Sequence, residues 1–303
     1  SLIEMIHAPM IGNEFRLHPG EPNEGPRSFA YMDEVTRRGQ QIYGIVIPYT
    51  HIVRFGVDDA LPFDGLPAWE SAKRDRRAAL ASPTVRAQIE RERIEGTGSP
   101  AFPSWRGWGS VVLEHAESER LKSLEHRSVE QIASARGVAP VDAFFDTWIE
   151  DDFRSRFVYY GFANDDQEVL ADMVKSPYDL IGTDTGAHVE RFFWHGAPAR
   201  VLGYWAREKH LFSLEEAVWK LTGFPGSKLG LHRGQLKVGW QADVAVFDPE
   251  SFRDLVSERL PDIVDEREVN RHPPGMEAVL VNGQIVVEGG ECLDVFPGKV
   301  GGL

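Results

Sequence analysis

"DLIGTDTGAHVERFF", residues 179–193, is the stretch that decides how this chain is read. The apolar run Tyr178, Leu180 and Ile181 stops abruptly at Gly182-Thr183-Asp184, and polar residues with His188 follow. Asp and Gly close strands in many turns, so Asp184 has an ordinary reading as a turn residue. The other reading is a strand that delivers a carboxylate to a working surface. The flanking elements discriminate between the two.

Upstream, "LIEMIHAPMI" (2–11) has strand length. "SFAYMDEVTRRG" (28–39) reads as a helix with Ser28 as a cap and Gly39 as a stop, and "QIYGIVIPY" (41–49) is a β-branched run closed by Pro48. Strand, helix, strand is the βαβ unit of a parallel sheet. Residues 62–108 form an excursion of charged helices broken at Pro83, whose arginines read as a solvated face. "GSVVLEHA" (109–116) is a short strand, "SVEQIASARG" (128–137) carries a capping-box spacing, and Pro140 suits a first helical turn. "RFVYYGF" (156–162), "DDQEVLADMVKSP", "YDLIGTD", "PARVLGYWAREKHL" and "SLEEAVWKLTG" then continue the alternation, with a second capping box at Ser213 and Glu216 and a stop at Gly223. Near residue 233 the period changes towards two. Asn282-Gly283 between "AVLV" and "QIVV" is a type I′ hairpin signal.

The fold class is therefore α/β followed by a β-rich module. Parallel strands are expected near 3–8, 42–48, 156–162 and 179–183. A closed (β/α)₈ barrel needs eight strands and about 250 residues. The chain is thus a small doubly wound sheet or the second half of a barrel, with 3–8 and 179–183 as its open edges.

Composition narrows the function. With 303 residues, 42% hydrophobic and 26% charged, the chain can bury a core. A net charge of −14 argues against nucleic acid, which demands a basic surface, but leaves room for a small-molecule substrate. Cys292 is the single cysteine, so no intrachain disulfide forms and a cytoplasmic location is the default. No apolar run has membrane-spanning length, and the start resembles no signal peptide; it reads as a chain joined in mid-fold.

"RVLGYWARE", "SLEEAVWKLTG", "RGQLKVGWQADVAVFD" and "VLVNG", placed after the Thr183-Asp184-Thr185 tip, resemble the C-terminal region of N-acyl-D-amino-acid deacylases, the D-aminoacylase group of the amidohydrolase superfamily. "GLPAWES", "SPTVRAQI" and "APVDAFFD" extend the likeness more loosely upstream. The resemblance implies the C-terminal half of a TIM barrel over 1–233, with a helical insertion near 62–108, and strands of a small β-sandwich over 234–303. It also implies one or two zinc ions. That family carries a His-x-His metal pair on its first strand, and no two of the ten histidines here are so spaced. An N-terminal half of the barrel outside this chain is therefore expected.

Amide hydrolysis needs an activated water and a proton relay to the leaving amine. Asp184, at a strand tip where barrel enzymes place their sites, is the candidate general base and a metal ligand. The resemblance adds His7 and His51 as metal ligands, imidazole being a common zinc donor. His188 is a candidate to orient Asp184 or touch substrate, and Arg191 to meet a substrate carboxylate. Trp194, Tyr204, Trp205 and Trp219 fall at helical spacing and read as core. The expected activity is hydrolysis of an N-acyl-D-amino acid. The alternatives are a cyclic-amide hydrolase and a non-catalytic binding or assembly module.

Overall fold

The computed structural model describes residues 10–14, 17, 24–96, 106–183, 196–254, 259–261, 268–270 and 273–299. Up to residue 183 it holds strands β1 (Met10–Glu14), β2 (Ile42–Val46), β3 (His51–Phe55), β4 (Val111–His115), β5 (Arg156–Ala163) and β6 (Asp179–Ile181). They divide between two compact units. One contains residues 10–14, 24–49 and those from 167 onward; the other contains Thr50–Asp166 and Leu17.

In the first unit β1, β2 and β6 form a parallel sheet in the order β1-β2-β6. The helix Glu24–Arg37 supplies the crossover that a parallel pair requires, and lays Met32 and Val35 on Ile42. It starts before Ser28. That hydroxyl donates to the Glu24 carbonyl oxygen at 2.9 Å from inside the helix, so Ser28 is not its cap. Gly39 ends the helix at φ 81°, as its sequence position suggests. β6 is an edge of the sheet among the described residues, as expected for 179–183. Residues 3–8 lie outside the described residues; the strand found nearby is β1.

The 156–162 strand departs from expectation. β5 is not a fourth parallel strand but the centre of an antiparallel sheet, ordered β3-β5-β4, in the second unit. A short apolar run buried on both faces reads alike in either sheet type, so the sequence could not name its partners. The excursion placed at 62–108 is accordingly part of a larger unit with its own sheet. Its core is aromatic: Phe55, Phe63, Trp69, Phe144, Trp148 and Phe157 are all buried, with Phe144 and Trp148 centroids 4.4 Å apart.

The chain breaks at Pro83 between the helices Arg76–Ala81 and Pro83–Ile94, as predicted. The arginines there are not all solvated, however. Arg86 is buried, with Nη1 3.1 Å from Asp142, Nη2 2.6 Å from Asp146 and Nε donating to the Leu80 carbonyl. That fork ties the Pro83–Ile94 helix to the helix Pro140–Glu150. The capping box at Ser128 and Gln131 forms, and Gly137 closes that helix in the left-handed conformation.

The C-terminal strands β7 (Val244–Phe247), β10 (Met276–Val281), β11 (Gln284–Glu288) and β12 (Glu291–Cys292) make an antiparallel sheet in the order β12-β11-β10-β7. A separate antiparallel pair joins β8 (Arg259–Pro261) to β9 (Glu268–Asn270). Asn282 at φ 48° and Gly283 at φ 80° make the anticipated tight turn. Val246 and Ile285 on this sheet stay more than 40% exposed, and Phe296 is 88% exposed.

Asp151 makes the second unit sensitive to acid. Burial pushes its pKa up, but the Ser155 hydroxyl (2.6 Å) and the backbone N–H groups of Glu117 (2.9 Å) and Ser118 (2.6 Å) outweigh that and hold it below the usual carboxylate value. A depressed carboxylate contributes stability above its unfolded pKa, and that contribution is lost as pH falls through the folded one. Asp151→Asn is expected to lower the urea midpoint at neutral pH and to lose less than wild type on acidification below about pH 4. Equal pH slopes for the two proteins would refute this.

Candidate active site

The site is built from the ends of β2 and β6. In their parallel register Gly44 faces Asp179, Ile45 faces Leu180 and Val46 faces Ile181. Gly182 N then donates to the Val46 carbonyl at 2.9 Å. Gly182-Thr183 and the segment after β2 thus share the C-terminal edge of the sheet, the edge at which α/β proteins place ligands. Asp184 follows Thr183 directly in the chain; Asp184, His188, Arg191 and His7 lie outside the described residues. His195, His272 and Trp194 do too.

At that edge the structure assembles a cluster the sequence did not announce. Tyr49, buried just past β2, donates its hydroxyl to Asp254 Oδ2 at 2.7 Å. The Arg200 guanidinium carbon lies 5.4 Å from the Tyr49 ring centroid and 3.5 Å from that of Tyr204. Arg200 Nε is buried with no hydrogen-bond partner among the described residues. A buried guanidinium donor left without an acceptor is costly, and a carboxylate satisfies it. Burial first, and the Asp254 carboxylate next, push the Tyr49 phenol far above its ordinary pKa, while Arg200 pulls it back. Tyr49 is therefore a neutral donor throughout the physiological range.

Local geometry explains why Arg200 was missed. It opens a π-helical stretch, Arg200–Glu208, immediately after the short turn Ala197–Ala199. The wider winding, a form often found at functional sites, brings Arg200, Tyr204 and Trp205 together, and Trp205 Nε1 donates to the Pro48 carbonyl at 3.0 Å. Trp205 is core as expected, but Trp219 is 46% exposed and is not. The one available clue was a cation in the first helical turn after a strand-tip loop. Ser213 and Glu216 form their capping box, whereas Gly223 begins a further helix, Gly223–Lys228, where a stop was expected.

His51 is the one candidate metal ligand inside the described residues. It does not end a parallel strand; it opens β3 in the antiparallel sheet of the second unit. It is fully buried, with Nε2 3.0 Å from Asn164 Nδ2, so the amide donates and the ring nitrogen accepts. Asn164 in turn takes the Leu17 N–H on Oδ1 and donates its own N–H to the Leu17 carbonyl, both at 2.8 Å. Its φ of 54° is one that asparagine tolerates better than most residues. Among the described residues no group of three or more His, Cys, Asp or Glu side chains is arranged to hold a metal ion. These residues by themselves do not fit a zinc site.

A second buried ionisable pair sits at the opposite, N-terminal end of β6. Asp179 is fully buried, and its carboxylate oxygens have no hydrogen-bond partner among the described residues. Lys220 is buried too and donates to the Ser176 carbonyl. Burial raises the Asp179 pKa and lowers that of Lys220 to about 8, each partner opposing the other's shift.

A parallel α/β sheet with its loops gathered at one edge is a frame shared by many proteins, and the family is given by the sequence: residues 102–287 match the model of the amidohydrolase family. The chain belongs to that family. It is 34% identical to D-aminoacylase from Alcaligenes xylosoxydans xylosoxydans over 268 residues, covering 86% of this chain and 49% of that protein. It is 37% identical to N-acyl-D-glutamate deacylase from the same organism over 126 residues, covering 40% of this chain and 24% of that protein. A crystal structure of D-aminoacylase superposes with a TM-score of 0.52 at 22% identity, over 95% of this chain and 48% of the other. The N-acyl-D-glutamate deacylase of Bordetella bronchiseptica, solved with zinc and a phosphonate inhibitor, gives a TM-score of 0.52 at 20% identity, over 92% and 46%. The chain spans about half the length of the D-aminoacylase it matches. No described helix is long and apolar enough to cross a membrane.

The Asp179–Lys220 pair yields a stability test. Lys220→Met leaves a buried carboxylate without its counter-charge and is expected to cost about 3 kcal/mol in urea unfolding at neutral pH, whereas Lys220→Met with Asp179→Leu should cost clearly less. Because the folded Lys220 pKa lies below the unfolded one, wild type should gain stability relative to Lys220→Met as pH rises from about 8 to 10.5. Strictly additive effects of the two substitutions would refute the coupling.

Proposed function

We propose that the whole protein hydrolyses the amide bond of an N-acyl-D-amino acid, and that this chain contributes the second half of a TIM barrel (1–233) and strands of a β-sandwich (234–303). The observation that carries the reading is the family match across the β6 tip, whose Gly182-Thr183 stands at the C-terminal edge of the parallel sheet. Among the relatives are two deacylases named for N-acyl-D-glutamate and N-acyl-D-aspartate. What those two substrates share is an acylated amino group beside an α-carboxylate.

Asp184 is the proposed general base and acid. It takes a proton from the attacking water and returns it to the departing amine nitrogen, so that the C–N bond breaks to a neutral amine. Arg200, beside Tyr49, is placed to take the substrate's carboxylate, a planar fork being suited to that anion. Arg191 and His188 are proposed to touch substrate nearer to Asp184. One or two zinc ions belong to the proposal, through Asp184 and His7, with the remaining ligands drawn from the half of the barrel outside this chain. A zinc ion bound there would supply Lewis acidity and a water of lowered pKa. A cytoplasmic location belongs to the same proposal, a single cysteine leaving no intrachain disulfide to form.

In the full-length protein, Asp184→Asn is expected to lower kcat for N-acetyl-D-amino acids by about 10²–10⁴-fold with a smaller effect on KM. Arg200→Lys, which keeps the charge but loses the fork, should raise KM with kcat nearly unchanged. Full activity in Asp184→Asn would end the assignment. Turnover of dihydroorotate or a hydantoin in place of the acyclic substrate would move it to the cyclic amidases.

A further inference from the structure

Asp254 lies 205 residues from Tyr49 in sequence, yet it is the acceptor for that buried hydroxyl. It is not a surface side chain that happens to fall nearby. The segment that delivers it, which follows β7, is clamped on to the π-helical stretch. Arg207 Nη1 donates to the carbonyl of Pro249 at 2.7 Å and to that of Phe252 at 2.9 Å. Phe252 is buried, with its ring 5.1 Å from that of Phe247. Gly203 makes the approach possible, because a Cβ there would meet Arg253 Cα and the Phe252 carbonyl oxygen, each at 3.2 Å. Gly196 does the same beside the carboxylate. A Cβ at Gly196 would overlap Asp254 and come within 3.1 Å of the Tyr49 hydroxyl oxygen. Gly196 has an ordinary φ of −77°, so space and not backbone conformation demands glycine there.

We propose that Asp254 is a positioning residue of the active site: by accepting the Tyr49 hydroxyl it holds the phenol ring on which Arg200 lies, and so presents the guanidinium to the substrate's carboxylate. The role rests on the reading of Arg200 given above. A phenol has a single proton. With that proton committed to Asp254, the ring is pinned at its far end, and Arg200 is flanked by two rings, Tyr49 and Tyr204, that limit where its plane can turn. Without Asp254 the buried hydroxyl must find another acceptor, and the platform under Arg200 is free to rotate. The loss falls on substrate binding, since Asp254 touches neither the scissile bond nor the attacking water.

The test uses the full-length protein. Asp254→Ala should raise KM for an N-acetyl-D-amino acid by about tenfold, the size of one hydrogen bond involving a charged group, with kcat within about twofold. Asp254→Asn, whose amide oxygen still accepts the phenol proton, should recover most of that loss. Tyr49→Phe should match Asp254→Ala, and the double variant should be no worse than either alone. Gly196→Ala, which displaces the carboxylate without altering it, should follow the same KM pattern. An independent arm needs no turnover: in urea unfolding, Asp254→Ala combined with Tyr49→Phe should cost less than the sum of the two single variants. An unchanged KM, equal falls in kcat and kcat/KM, or additive effects on KM in the double variant would overturn the proposal, even with the unfolding effects coupled. A wild-type protein inactive on N-acyl-D-amino acids would remove the assigned substrate, and this role with it; coupled unfolding effects would then show that the Asp254–Tyr49 bond itself survives.

Discussion

The register of β6 against β2 is the constraint on which the site depends. Parallel pairing of Gly44, Ile45 and Val46 with Asp179, Leu180 and Ile181 makes both strands end at one edge. The Gly182 N–H then extends the ladder by one more bond to Val46. A slip of one residue would turn every side chain of this short strand to the other face and take Ile181 away from the Ile47, Tyr49 and Ala197 cluster it packs against. The residues that leave the two strands, Tyr49 on one side and Gly196 with Arg200 on the other, meet because that edge is shared. The long return of the chain through β7 then brings Asp254 to the same place.

The second unit is organised by different forces. Its sheet is antiparallel and its core is a continuous set of packed rings, with Phe144 4.6 Å from Phe157 and 5.0 Å from Trp108. Aromatic side chains bury large areas with few rotatable bonds, so a modest number of them can define a core. Buried Arg86 joins two of its helices by spanning two aspartates of the facing one, while Arg93 pairs with Glu90 of its own helix and lies over the Trp108 ring. Only the guanidinium of each pair is buried, so these pairs are weak sources of net stability but strict about geometry, since a misplaced partner leaves a buried charge without its counterpart.

Local signals in the sequence were reliable where the physics is local. The capping boxes at Ser128 and Ser213, the break at Pro83, the left-handed Gly39 and Gly137 and the Asn282-Gly283 turn each depend on a few neighbouring residues. They formed as read, apart from Ser28, which lies inside its helix, and Gly223, which begins a helix. Family membership was legible for a similar reason: the motifs from "RVLGYWARE" to "VLVNG" are contiguous strings, and the family match over 102–287 covers all of them.

By itself, then, the sequence determined the amidohydrolase family, the type of most elements and the end of the 179–183 strand at Gly182-Thr183. Tertiary structure alone decided which strands pair. β5, read as a parallel barrel strand, lies between β3 and β4, because an apolar run buried on both faces carries no record of its neighbours. Tertiary structure also decided that Tyr49, Arg200 and Asp254 form one cluster, and that His51 spends its Nε2 on Asn164. Those contacts join residues more than a hundred positions apart. Their energies depend on burial and orientation, which no local spacing encodes.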